Sequence, residues 1–237
     1  MLSIGETNPL FLLPMKTLLA IATSLLVCLV TTTVGRSADT RVSKRVAFVI
    51  DDGPVIEQTM QMLAVLAKAK AHVTFSYVGK NVIAHPELAR SAVEAGHEIA
   101  NHSYTHPHLK TLDDATVQKE ISETNGVIKQ ATGRAPVWFW APFLESDERV
   151  ERVAQSNQLK HFPYRDYHFV STEDWNVKAT DAATILKRAT TDIQDKTVIL
   201  CHEWRAETLQ QLPAILERLR SQGFEFVTFS ELAAVKP

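Results

Sequence analysis

Two carboxylates stand side by side at the end of an apolar run in "VIDDGP", residues 49–54. A strand-to-helix turn needs one Asp or Gly as a cap and places Pro54 at the first helical position, which leaves the second acid unexplained. Successive strand side chains point to opposite faces, so both acids can address one site only if the pleat breaks here, as Gly53 permits. A bound cation would relieve their repulsion and hold both ionised near neutral pH, one as a ligand and the other free as a base.

A second cluster, "NHSYTHPHL" at 101–109, holds His102 and His106 four residues apart. That spacing puts both imidazoles on one side of a helical turn. Two imidazoles and one carboxylate make three ligands for a divalent ion and leave a position for water. A satisfied or solvated histidine pair is the competing reading. The spacing of His108 points it away from His102. His72, His85, His97, His161 and His168 have no partner pattern and read as structural or surface residues. Polar residues also gather in "EDWN" (173–176) and "LCHEW" (200–204).

All four clusters end apolar, β-branched runs, which defines the elements that must position them. Such runs occur at 46–50, 72–78, 98–100, 137–143, 168–170, 198–200 and 224–229. Stretches of helical period lie between most of them, at 56–70, 86–95, 115–131, 147–158, 182–193 and 207–221. Pro86, Asp181 and the glycines at 96, 133 and 223 fall where helix starts and stops belong. This alternation predicts an α/β fold: a distorted, nearly closed parallel β/α barrel of about seven strands with outer helices. Chemistry in such a barrel sits at the C-terminal strand ends.

The 237 residues are 45% hydrophobic with a formal net charge of −2, which suits one catalytic domain over residues 39–237. No stretch combines dense Lys/Arg with aromatics, so a nucleic-acid partner is not expected. Residues 1–38 read as a secretory signal peptide, with the true start at Met15, an apolar run from Leu18 to Val30, and cleavage between Gly35 and Ala38. The expected location is periplasmic or extracellular, with no stable membrane insertion after cleavage; an uncleaved anchor is the alternative. Cys28 leaves with the leader, and Cys201 remains as a lone thiol without a disulfide partner.

At this point the sequence resembles the polysaccharide deacetylase family, the nodulation-protein-type domain also called carbohydrate esterase family 4. Asp51, Asp52, Gly53 and Pro54 match its first signature, and "HSYTH" from His102 to His106 matches its second. "VTFSYVG", "AGHEIANHSYTHPHL" and "ISETNGVIKQATGRAP" are similar to its intervening text. The resemblance implies a distorted β/α barrel, Asp51 as general base, and Asp52, His102 and His106 as metal ligands. It further implies His202 as general acid and Leu200 as part of the acetyl pocket, with Asp174 and Trp175 supporting that histidine and walling the groove.

One position departs from the pattern. In "FWAPF", Trp140 stands where the family has an Arg that pairs with the base, and Phe143 stands at its Tyr position. Trp offers neither a cation nor a fork of donors, so the expectation is a raised Asp51 pKa and a loosened carboxylate. Arg165 and Arg205 are the candidate replacements. The Phe143 position serves the family through its backbone N–H, which holds an oxyanion.

The implied activity is metal-dependent removal of N-acetyl groups from amino-sugar glycans of chitooligosaccharide, chitin or peptidoglycan type. Zinc is the first choice of ion, with cobalt or another divalent ion as alternatives. Two other readings stand beside it: a non-catalytic carbohydrate-binding protein, and an O-deacetylase of acetylated xylan. Trp138, Trp140, Trp175 and Trp204 include candidate sugar-stacking faces, although aromatic residues near strands more often belong to the core.

Overall fold

The computed structural model describes residues 44–234, so the expected leader lies outside the described residues. Eight strands run parallel: β1 (Lys44–Gly53), β2 (Thr74–Tyr77), β3 (Glu98–Asn101), β4 (Trp138–Phe139), β5 (Lys160–His161), β6 (His168–Ser171), β7 (Thr197–His202) and β8 (Phe224–Val227). Their order is β5-β4-β3-β2-β1-β7-β6, with β8 pairing the first half of β1. Helices α1 (Ile56–Ala69), α2 (Gly79–Ala84), α3 (Pro86–Glu94), α4 (Asp114–Thr132), α5 (Glu148–Ser156), α6 (Ala182–Thr190), α7 (Ala206–Ser221) and α8 (Phe229–Ala233) alternate with them. None of these helices is long and apolar enough to cross a membrane.

The wall is a distorted barrel that stays open between β5 and β6, which do not pair. Aromatic rings fill that seam: Trp140 and Phe162 lie 4.1 Å apart between centroids, and Tyr164 and Phe169 lie 5.3 Å apart. The eighth strand, β5, escapes the sequence reading because its two residues, Lys160 and His161, form no apolar run.

Alternation along the strands decides what reaches the interior. In β1, Val46, Phe48 and Ile50 pack toward the helices, while Ala47 and Val49 join the inner cluster of Trp138, Trp140, Val198, Leu200 and Phe229. Asp51 continues the inward series, level with His202 of β7, which continues the inward series of Val198 and Leu200. Burial of each large apolar side chain in these layers is worth roughly 1.5–3 kcal/mol relative to exposure.

Helix ends follow the sequence signals. Asp113, Asp147 and Asp181 accept the amides of Thr116, Val150 and Thr184 at the starts of α4, α5 and α6. Gly133 closes α4 at φ 74°, a conformation that penalises side chains bearing a Cβ. The turn after β1 differs from expectation: Pro54 is not helical, and α1 begins at Ile56 behind Val55, with no side-chain cap.

Candidate active site

The pleat breaks at Asp52 itself rather than at Gly53. Asp52 has φ 73°, and the register against β2 shifts between Asp51 and Gly53, which turns the second carboxylate back toward the interior. Gly53 serves close approach instead. A Cβ there would lie 2.6 Å from the Tyr77 ring and 2.7 Å from the Glu203 carboxyl carbon. Beneath this turn Glu203 is fully buried; its amide donates to Asp51 O at 2.9 Å, and its carboxyl accepts the Val55 amide and the Thr59 hydroxyl.

Each carboxylate is gripped by one indole. Trp140 Nε1 donates to Asp51 Oδ2 at 2.7 Å, and Trp204 Nε1 donates to Asp52 Oδ2 at 2.9 Å. Asp51 Oδ1 and Asp52 Oδ1 are left buried without hydrogen-bond partners. The expected loosening of Asp51 is therefore corrected: the Trp140 N–H supplies direction, though no charge. Neither candidate arginine replaces the missing cation. Arg165 lies over the Tyr164 ring, and Arg205 pairs with Glu207 and donates to Thr180 O.

The two histidines do not sit on a helical turn. Ser103 at φ 61° and His106 at φ 62° fold residues 102–106 into an irregular loop after β3. Asn101 accepts the Ser103 amide and donates to Asn125 Oδ1, while Glu120 of α4 accepts from the Tyr104 and Thr105 amides and the Thr105 hydroxyl. The Gly79 amide donates to Ser103 O at 2.9 Å. These contacts bring His102 Nε2 to 3.4 Å and His106 Nε2 to 3.2 Å from Asp52 Oδ1.

The ligand atoms of Asp52, His102 and His106 all lie within 4.8 Å of one another, a donor set that suits a divalent ion. His102 Nδ1 is 2.7 Å from Trp140 O, and since a carbonyl only accepts, Nδ1 carries the proton and Nε2 keeps its lone pair. That Nε2 is buried without a hydrogen-bond partner, like Asp52 Oδ1. Two orphaned atoms facing each other fit an ion better than an empty interior. His108 stands outside the group, stacked on Phe143 at 4.0 Å and 3.1 Å from Glu145.

On the opposite wall, His202 Nδ1 is 2.7 Å from Asp174 Oδ1. Asp174 is fully buried and accepts the His202 amide at 2.8 Å and the Thr208 hydroxyl at 2.6 Å on Oδ2. Burial pulls the His202 pKa down, but the Asp174 hydrogen bond and the Asp51 charge outweigh it and push the value up to about 9. Burial raises Asp51 to about 6 against the lowering influence of His102 and His202. For Asp52 burial is outweighed by the neighbouring imidazoles, His102 first, which hold its carboxyl below the usual range.

A cavity of about 520 Å³ opens over these groups, lined also by Phe143, Leu144, Ser171, Trp175, Leu200 and Trp204. Trp138 and Trp140 are core, whereas Trp175 is 56% and Trp204 36% exposed. Phe143 has φ 60°. The Leu144 and Glu145 amides donate to Ala141 O and Pro142 O, and no acceptor for the Phe143 amide is present among the described residues.

All ten side chains singled out in the sequence thus converge on one end of the barrel. Trp204 entered only as a candidate sugar-stacking face, and Glu120, Asn101, Glu203 and Thr208 were not singled out for the site. Their contacts join residues distant along the chain and leave no local spacing signal, although "LCHEW" already put Trp204 beside His202.

This parallel barrel is shared by known proteins. A family model described as polysaccharide deacetylase matches residues 38–162, and the chain belongs to that family. Peptidoglycan-N-acetylglucosamine deacetylase of Listeria monocytogenes is 31% identical over 196 residues, 83% of this chain and 40% of that protein. The chain therefore spans well under half the length of that relative. A family 4 carbohydrate esterase from Streptomyces lividans, in complex with acetate, superposes with TM-score 0.70 at 31% identity, covering 77% of this chain and 91% of the other. A pseudoenzyme of the same esterase family from Bacillus anthracis superposes with TM-score 0.73 at 28% identity, covering 81% and 66%.

Proposed function

We propose that this chain hydrolyses N-acetyl groups on amino-sugar glycans of chitooligosaccharide, chitin or peptidoglycan type, using one divalent ion, zinc first. The observation that carries the reading is the division of the adjacent acids. Asp52 Oδ1 lies within 3.4 Å of both histidine Nε2 atoms, while Asp51 lies across from His202 in strand register.

Asp52, His102 and His106 would hold the ion, which when bound supplies Lewis acidity to the acetamide and to water. Asp51 takes the proton from the attacking water, with its carboxylate aimed by Trp140. The unpaired Phe143 amide holds the developing oxyanion; loss of one such donor typically costs about 3 kcal/mol. His202 gives its proton to the departing amine. Leu200 lines the space for the acetyl methyl, and Trp175 offers a ring to the sugar. Burial and neighbouring charge push acid and base to opposite sides of neutrality, about 9 for His202 and about 6 for Asp51. Near pH 7 each group then stands in its working form.

Acetate release from chitooligosaccharides, with chelator and after restoring zinc, tests this. Chelator-sensitive release is the expected result, and its absence on chitooligosaccharides, peptidoglycan fragments and acetyl-xylan alike would sink the hydrolase reading. Release from acetyl-xylan alone would favour the O-deacetylase. Trp140 in place of a cation, with the likeness to a pseudoenzyme, supports a second reading: a carbohydrate-binding protein without turnover. Retention of Asp51 and His202 speaks against it, because a binder needs neither base nor acid. Export is part of the proposal, and the N-terminus of the mature protein tests it: cleavage between residues 35 and 38 is expected.

A further inference from the structure

Asp52 has a problem that Asp51 does not. Its inward turn comes from a left-handed backbone that an Asp adopts at a cost, and its side chain is 23% exposed, so water competes for its oxygens. One neutral donor restrains it: the Trp204 indole N–H, 2.9 Å from Oδ2. With Oδ2 taken, Oδ1 is the oxygen left toward His102 and His106. The main chain on either side of this pair is fixed from below. Asn81 Nδ2 donates to Asp52 O at 2.9 Å, and the buried Glu203, next to Trp204, ties its strand end to β1 through the Asp51 carbonyl.

The same residue, 36% exposed, lines the cavity, with its ring 5.8 Å between centroids from His202. One side chain thus contacts both the carboxylate expected to hold the ion and the space expected to hold the glycan. From this geometry we propose that Trp204 is a positioning residue. Its N–H presets Asp52 for the ion, and its ring face forms a wall for a sugar ring. The proposal rests on Asp52 being an ion ligand, as set out above.

Hydrogen-bond partners of ligating carboxylates and imidazoles typically change metal affinity ~10–100-fold when removed. Trp204→Phe keeps a ring and deletes the donor; Trp204→Ala deletes both. Zinc affinity of the ion-free full chain, measured by competition with a chromophoric chelator, should fall ~10-fold in both variants. At saturating zinc, Trp204→Phe should regain the wild-type KM for a chitooligosaccharide, whereas Trp204→Ala should keep a raised KM.

Unchanged zinc affinity in Trp204→Phe would overturn the positioning role, and equal KM values in the two variants would overturn the sugar wall. Asp52→Ala separates this from the functional reading. Wild-type zinc affinity in Asp52→Ala defeats the ion site itself, while loss there with none in Trp204→Phe defeats only the present proposal. A measurement on the wild-type chain needs no variant to fold. The Trp204 indole N–H resonance of the ¹⁵N-labelled protein should shift when zinc is added, and an unmoved resonance would also overturn the role.

Discussion

The two walls of the cavity deliver their side chains by different means. Asp51 and His202 are presented by ordinary strand alternation, level with each other across β1 and β7. On the other wall Asp52 and His106 themselves, and the loop that follows His102, stand on left-handed backbone at Asp52, Ser103 and His106. Such residues cost of order 1–3 kcal/mol each and persist where surroundings hold them, here Asn81, Asn101, Glu120 and Trp204. The comparison teaches that a proton-transfer pair can ride on a regular sheet. An ion site that gathers adjacent residues onto one side has to break the sheet and secure the break from outside.

The largest effects should come from separating the two acids. Asp52→Ala and His102→Ala should lose the ion and turnover together. Asp51→Asn should keep the ion and lose turnover by roughly 10³-fold, a loss of the order seen when a proton-transfer group is removed. Metal analysis after dialysis, paired with acetate release, checks this, and ion loss in Asp51→Asn would erase the distinction between the walls.

Next is stability on the strand-borne wall. The His202 pKa is raised to about 9 from 6.5. Its contribution is therefore fully present below pH 6.5 and lost as pH rises through 9. Urea unfolding of the ion-free chain should show this loss, on the order of 3 kcal/mol, and Asp174→Asn should flatten it.

On the loop-borne wall, Glu120→Gln should weaken the ion about 10-fold while leaving the strand-borne pair in place. Calorimetric zinc titration measures the loss. The smallest effect sharpens the comparison at its boundary. Trp140→Arg restores a cation beside Asp51 and should lower its pKa from about 6 by about one unit. Because the base works ionised, the acid limb of the pH–rate profile should move to lower pH.

Legibility in the sequence followed the same division. The apolar runs at 46–50 and 198–200 identified β1 and β7, and the polar clusters at their ends held Asp51 and His202, whose roles the family resemblance implied. On the loop-borne wall the expected residues do come together, but by another geometry. His102 and His106 converge through left-handed turns rather than a helix, and Asp52 supplies the pleat break expected of Gly53. They depend on side chains from α4 and from the turn after β7, which no local spacing records. Trp140 shows the limit from another side: its chemistry excluded a cation, but only the fold shows its N–H aimed at Asp51. Strand β5 is a Lys-His pair with no apolar run, and helix α2 has six residues, too few for periodicity to register.

The gap between β5 and β6 bears on behaviour at high concentration. An unzipped wall has two borders whose backbone groups can recruit a strand from another molecule. Here those borders are two and four residues long, and the space between them is filled by rings rather than by further ladder. Brevity of this kind limits cross-molecule pairing. Lengthening β5 or thinning the aromatic filling should raise the tendency to clump, even with every residue of the cavity untouched.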